Sequence, residues 1–252
     1  MNTEFLTFLK REIYRFMVLY KQTIVPALIS SLLYIVVFGT TLGSRISNIN
    51  GVPYINYIVP GLAMMSVINQ AYQNSASSIM QGKYLKFIED LLIAPLSGLQ
   101  ISLGYIIGGA LRGLICGLGI LIICLFLTDL RINNFLLTFY YLLTVSWTFS
   151  AFGVIIGIYA RTWDEIGSFT NFVFMPMTFL GGVFYSLDML PPFWRTISYF
   201  NPIYWMISGL RYSTLGLQET PNIISLILCT GFSFIFTILA GYLFKIGYKI
   251  KS

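Results

Sequence analysis

Five stretches of this chain run for 22 residues or more without a single Asp, Glu, Lys or Arg: 22–44, 46–82, 132–160, 166–187 and 220–244. A helix crosses roughly 30 Å of hydrocarbon in about 20 apolar residues, and only helices and closed barrels satisfy their own amides there. Residues 91–111 and 113–128 form a further apolar region, divided only by Arg112. These limits predict an all-α integral membrane protein with six transmembrane helices, at about 23–43, 54–77, 103–127, 135–159, 166–186 and 222–244. Composition agrees: 57% of residues are apolar and 10% charged, where a soluble domain carries about 25% charged residues. The apolar segments continue to the C-terminal end, which argues against a cleaved signal peptide ahead of a secreted domain.

Lysine and arginine set the orientation. With the N-terminus inside, the inner segments hold Lys10, Arg11, Arg15, Lys21, Lys83, Lys86, Arg161, Lys245, Lys249 and Lys251. The outer segments hold only Arg45, Arg131, Arg195 and Arg211. Both termini are therefore expected in the cytoplasm. The net charge of +6 reflects that inside bias and calls for no nucleic-acid partner.

The chemical inventory excludes much. The chain has no histidine, the commonest general base and metal ligand. Cys116, Cys124 and Cys229 sit in apolar stretches and read as small buried hydrophobes. Gly82-Lys83-Tyr84 lacks both the upstream glycine and the hydroxyl of a phosphate-binding loop, so no catalytic, metal or cofactor site is expected in this chain. All nine acidic residues fall outside the expected spans. An ion-gradient-driven secondary transporter, the alternative reading, usually carries carboxylates within them.

Three non-spanning segments stand out. Residues 3–21 form an amphipathic helix, with Glu4, Thr7, Lys10, Arg11 and Arg15 on one arc and Phe5, Leu9, Ile13, Phe16, Met17 and Tyr20 on the other. Such a helix lies in the membrane interface as an anchor or as a lever to a cytoplasmic partner. Between the second and third spans, residues 83–96 suit a short amphipathic helix closed by Pro95. Leu85, Ile88 and Leu92 lie on one side of it, with Lys86, Glu89 and Asp90 on another. Residues 187–212 are too broken by proline for a seventh span and too aromatic for an ordinary loop. Pro192 and Pro202 each suit the first turn of a short helix, giving a helical hairpin jointed at Asn201-Pro202, dipping its aromatic rings into the outer interface. Gly181-Gly182 lets the chain bend out of the fifth span.

Inside the spans, Arg112 either snorkels to inner headgroups or serves as a gate or substrate counter-ion. Gly109, Gly113 and Gly117 are spaced for close helix packing, within the subunit or at a dimer seam. Asn69, Gln70, Gln73 and Asn74 cluster in two turns, either bonding between helices or lining a polar path.

At these places the chain resembles the permease subunits of ABC-2 type ABC exporters, in particular their YadH-like inner-membrane branch. Glu89-Asp90-Leu91-Leu92-Ile93-Ala94-Pro95-Leu96-Ser97 is similar to the cytoplasmic loop of that family. Leu180-Gly181-Gly182-Val183-Phe184-Tyr185, followed by Leu190-Pro191-Pro192-Phe193-Trp194 and Asn201-Pro202, looks like its outer signature, although Gly181 stands where many members have serine. The resemblance implies a bacterial inner-membrane protein pairing as a homodimer beside two separate ATPase subunits, which would hold the ATP and Mg. Residues 83–96 would be the coupling helix, with Phe87, Ile88 and Leu92 as packing anchors and Lys83, Lys86, Glu89 and Asp90 making charged contacts to the ATPase. The N-terminal helix would connect beside it, and 187–212 would be an outer re-entrant hairpin closing the path. Asn69, Gln70, Gln73, Asn74, Gly181, Gly182, Phe184 and Tyr185 would line or gate that path for a lipid, a lipid-linked glycan or an amphipathic drug.

Overall fold

The computed structural model of the chain describes residues 3–46 and 48–247, excluding the Leu92 side chain, so Lys249 and Lys251 of the charge count lie outside the described residues. Helix α1 (Thr3–Val18) is followed at Leu19 by α2 (Tyr20–Thr41). A two-residue antiparallel ladder, β1 (Asn48–Ile49) with β2 (Val52–Pro53), leads into α3 (Tyr54–Tyr84). Next come α4 (Phe87–Ile93), α5 (Gly98–Leu127) and α6 (Phe135–Tyr159). Helix α7 (Trp163–Phe169) runs through a π-helical turn at Thr170–Phe174 into α8 (Met175–Leu180). Two short helices, α9 (Pro192–Phe200) and α10 (Pro202–Leu215), meet at Asn201, and α11 (Asn222–Ile246) ends the described chain.

Among the described residues, four helices are long and apolar enough to cross a membrane: α2, α5, α6 and α11. Helix α3 has the length, 31 residues, but dilutes its hydropathy with Asn56, Asn69, Gln70, Gln73, Asn74 and several serines. The stretch 163–180 is helical throughout, divided by the π turn.

Helix α3 is the axis of the bundle. It packs along α5 and α6, and most of its residues are buried. Small residues permit this approach. A Cβ on Gly109 would stand 2.2 Å from Ser75 Oγ and 2.4 Å from Ser150 Oγ, and one on Gly113 would stand 2.3 Å from Ser146 Oγ. The glycine seam of α5 therefore packs inside the subunit, and the dimer-seam alternative falls. Hydroxyls replace methyls at the crossing: Ser75 and Ser150 Oγ lie 2.7 Å apart, and Ser150 and Ser146 donate to the Ile106 and Ala110 carbonyls at 2.7 Å. Each donor finds an acceptor already on the neighbouring helix, as a water-free interior demands. All three cysteines are free and buried.

The phase of α1 differs from the expected wheel. Its buried stripe is Phe8, Glu12 and Phe16, because Gly104 and Gly108 open a channel on α5 that receives Phe8 and Glu12. Met17 and Tyr20, assigned to the apolar arc, are exposed.

Candidate functional site

Pro95 forbids a helical Ala94, which is extended, and this ends α4. Ser97 then caps α5: its Oγ accepts from the Gln100 amide at 3.2 Å, and Gln100 Oε1 accepts from the Ser97 amide at 2.8 Å. At the other end, Lys86 takes a left-handed φ of 61°. Between these two breaks α4 crosses the end of the bundle. Phe87 and Ile88 fold back towards Gly82, and the Arg11 guanidinium of α1 stands 4.0 Å from the Phe87 ring centre. Lys83 Nζ donates to the Ile158 carbonyl and, at 3.2 Å, to that of Ala160, closing the C-terminal end of α6. Glu89, Asp90 and Ile93 face outward with Lys86.

Beside α4 lies a buried charge cluster. Glu12 is wholly buried; Ser78 Oγ donates to its Oε2 at 2.6 Å, and Arg11 Nη2 lies 3.2 Å from its Oε1. Arg15 Nε is 3.6 Å from Oε2, and its Nη2 donates to the Asn74 backbone carbonyl at 2.8 Å and to Asn74 Oδ1 at 3.0 Å. Burial pushes the Arg15 guanidinium below its ordinary value against the pull of Glu12, and an arginine stays charged regardless. Arg112 Nη1 reaches the same Asn74 Oδ1 at 3.4 Å, while its Nη2 donates to Gln70 Oε1. Arg112 is 8% exposed, turned onto α3 rather than extended to a rim.

Two cavities meet at Arg112. One of about 360 Å³ runs between α2 and α3 past Gln70, Gln73 and Asn69 to Tyr34. The other, about 460 Å³, opens at the end of α3 between Arg15, Asn74 and the exposed Tyr84, Leu85 and Trp163. Asn69 Nδ2 donates to its own helix at the Met65 carbonyl, 3.0 Å away, and Gln73 Nε2 lies 3.4 Å from Thr170 Oγ1 on the π turn.

At the opposite end, α8 stops at Gly181, and Gly182 takes a φ of 74°, which glycine adopts without cost. That turn presents the Gly182 carbonyl to Arg211 Nη2 at 2.8 Å. Arg211, 1% exposed, also binds Glu219 Oε2 at 2.7 Å and lies 3.9 Å from the Tyr57 ring centre; the Tyr57 hydroxyl donates to Glu219 Oε1 at 2.6 Å. The Phe184 ring is 4.8 Å from Phe38 and 6.4 Å from Tyr34, a residue that lines the first cavity. Tyr54 donates to the Phe184 carbonyl at 3.1 Å, and the Tyr185 carbonyl lies 3.3 Å from the Tyr57 hydroxyl.

A family model described as ABC-2 type transporter matches residues 3–215. The chain belongs to that family. It is 41% identical over 242 residues to the inner membrane transport permease YadH of Escherichia coli K12, covering 96% of this chain and 94% of that protein. It is 26% identical over 207 residues to nodulation protein J of Rhizobium leguminosarum bv. viciae, covering 80% and 78%. Membership makes the chain a transport permease, a component of a transporter rather than a catalyst.

Within this family member, the expected contact residues divide. Lys86, Glu89 and Asp90 point away from the bundle. Phe87 and Ile88, the expected packing anchors, pack on the end of their own bundle, Ile88 within a buried apolar cluster and Phe87 against it. Lys83 Nζ donates to carbonyls at the end of α6. The Leu92 side chain lies outside the described residues. Asn69, Gln70 and Gln73 share one cavity and Asn74 lies in the other, while Gly181, Gly182, Phe184 and Tyr185 gather around Tyr54, Tyr57 and Arg211 at the opposite end of the bundle. Sequence reasoning missed Glu12 and the Arg211–Glu219–Tyr57 clasp. The i, i+3 spacing of Glu12 and Arg15 was the available signal for the first.

Proposed function

We propose that the chain is the membrane-spanning permease subunit of an ATP-binding cassette exporter in a bacterial inner membrane. In this reading α2, α3, α5, α6, α7–α8 and α11 cross the bilayer, with both termini cytoplasmic. A second copy completes the substrate path, and two separate ATPase subunits supply ATP- and Mg-dependent work. The cargo is a lipid, a lipid-linked glycan or an amphipathic drug, drawn along the polar groove of α2 and α3, with α9 and α10 as the outer re-entrant hairpin. The name of the Escherichia coli relative supports the location.

The observation that carries this reading is α4. A chain without a phosphate-binding loop can use ATP only through an element that transmits motion across a protein contact. Helix α4 is anchored for such transmission, since Lys83, Phe87 and Arg11 tie its surroundings to α6, α3 and α1. Lys86, Glu89, Asp90 and the 83% exposed Ile93 form its outer face. A polar rim around an apolar contact is the usual make-up of a protein interface. Glu12 also weighs against ion-gradient drive, since both its oxygens already accept hydrogen bonds. The test is Glu89→Lys in the reconstituted complex. We expect loss of permease-stimulated ATPase activity with membrane insertion intact, and undiminished stimulation would remove the role of α4.

A further inference from the structure

From the cluster at the junction of the two cavities, we infer that Arg15, Asn74 and Arg112 bind a phosphate group. Placing this site at the cytoplasmic leaflet rests on the orientation proposed above; the site itself rests on three observations. The first is charge. Glu12 is the one carboxylate within ion-pairing distance of Arg15, it is shared with Arg11, and among the described residues none pairs with Arg112. Both guanidinium groups nevertheless converge on one oxygen, Asn74 Oδ1, at 3.0 and 3.4 Å. Two cations held on a neutral acceptor repel each other, and a buried unpaired charge is costly.

The second is the sign of what is missing. Asn74 Nδ2 and Arg112 Nε are buried without a hydrogen-bond partner, and both are donors, while Arg15 Nε faces Glu12 Oε2 at the long distance of 3.6 Å. Asn74 is wholly buried and Arg112 is 8% exposed. A group that satisfies several donors at once and cancels positive charge is an anion rich in oxygen, and arginine forks match phosphate oxygens in pairs. The third is access. The 460 Å³ cavity is lined by all three residues. Its rim carries the exposed apolar Leu19, Leu85 and Trp163. A phosphate on a lipid headgroup could enter there with its chains against that rim, and free inorganic phosphate has the same chemistry.

The test uses the full chain in a sugar-based detergent that itself lacks phosphate. Binding of phosphatidic acid is compared with that of diacylglycerol, which has the same tails without the phosphate. Saturable uptake of inorganic phosphate is measured alongside. Wild-type protein should hold phosphatidic acid about tenfold more tightly than diacylglycerol, and Arg112→Gln and Arg15→Gln should each remove most of that preference. Arg15 lies at the cavity edge, so its variant keeps the test alive if the Arg112 variant does not fold. Phosphatidic acid retained against excess inorganic phosphate identifies a lipid source, whereas uptake of inorganic phosphate with no effect of tails identifies the free anion. Equal retention of the two lipids with no phosphate uptake, or wild-type preference in both variants, overturns the site. No ATPase enters this measurement, so its failure leaves the coupling role of α4 standing, and the converse holds.

Discussion

Two ion pairs in the region following α8 offer an internal comparison. Arg211 and Glu219 meet at 2.7 Å with side chains 1% and 8% exposed, whereas Arg195 and Asp188 meet at 2.6 Å with 44% and 67% exposure. If distance alone decided strength, the pairs would be equivalent. Burial makes them different. Removing one partner of a buried pair leaves the other without solvation and costs about 3–5 kcal/mol. Glu219→Gln keeps the shape and removes the charge, leaving Arg211 with the Gly182 carbonyl and the Tyr57 ring. We expect Glu219→Gln to lower the unfolding free energy by about 3 kcal/mol or more, measured by reversible unfolding in mixed micelles. Asp188→Asn should leave the curve within error. The double change Arg211→Met with Glu219→Leu should cost less than the sum of its single changes, because it strands neither charge. Equal effects of Glu219→Gln and Asp188→Asn, or additive costs in the double variant, would refute the clasp.

Gly109→Val drives a branched side chain to within 2.2 Å of Ser75 Oγ and 2.9 Å of the Ala71 carbonyl, and should cost about 1–3 kcal/mol or more. Gly167→Ala, with nothing within 4 Å of its new methyl, should stabilise by about 0.5–1 kcal/mol; the same unfolding curves report both. Arg11→Ala removes the cation over Phe87 and should weaken the seating of α4 by about 0.5–1 kcal/mol, visible as faster amide exchange over residues 87–93. Cys116, Cys124 and Cys229, all buried, should resist a membrane-permeant maleimide until the protein is denatured.

The positions of the long helices were legible because charge is expelled from hydrocarbon whatever the tertiary packing, and charge-free intervals can be counted. The turn at Pro95 and the joint at Asn201-Pro202 were legible for a related reason: proline acts locally. The phase of α1 was not. It depends on Gly104 and Gly108 of α5 and on Ser78 of α3, a serine 66 residues from Glu12, and no wheel drawn on residues 3–21 contains them. The inward turn of Phe87 and Ile88 had the same origin. An amphipathic helix announces that its apolar side will be covered, and leaves open whether its own chain or a partner covers it. The polar run in α3 was visible at once, but that its Gln70 and Asn74 face Arg112 was not, because this depends on how α3 and α5 pack.

The enclosure of α3 bears on how the protein is made. Its amides and serines gain little by entering lipid alone, and their partners on α5 and α6 leave the ribosome later, the hydroxyl of Ser150 75 residues after that of Ser75. If α3 crosses the bilayer as proposed, it has to be shielded by the insertion machinery, or wait at its edge, until the next two helices have emerged, and the three then partition as one unit. Truncation after α3 should accordingly yield a nascent chain that slips back from the bilayer, whereas truncation after α6 should not.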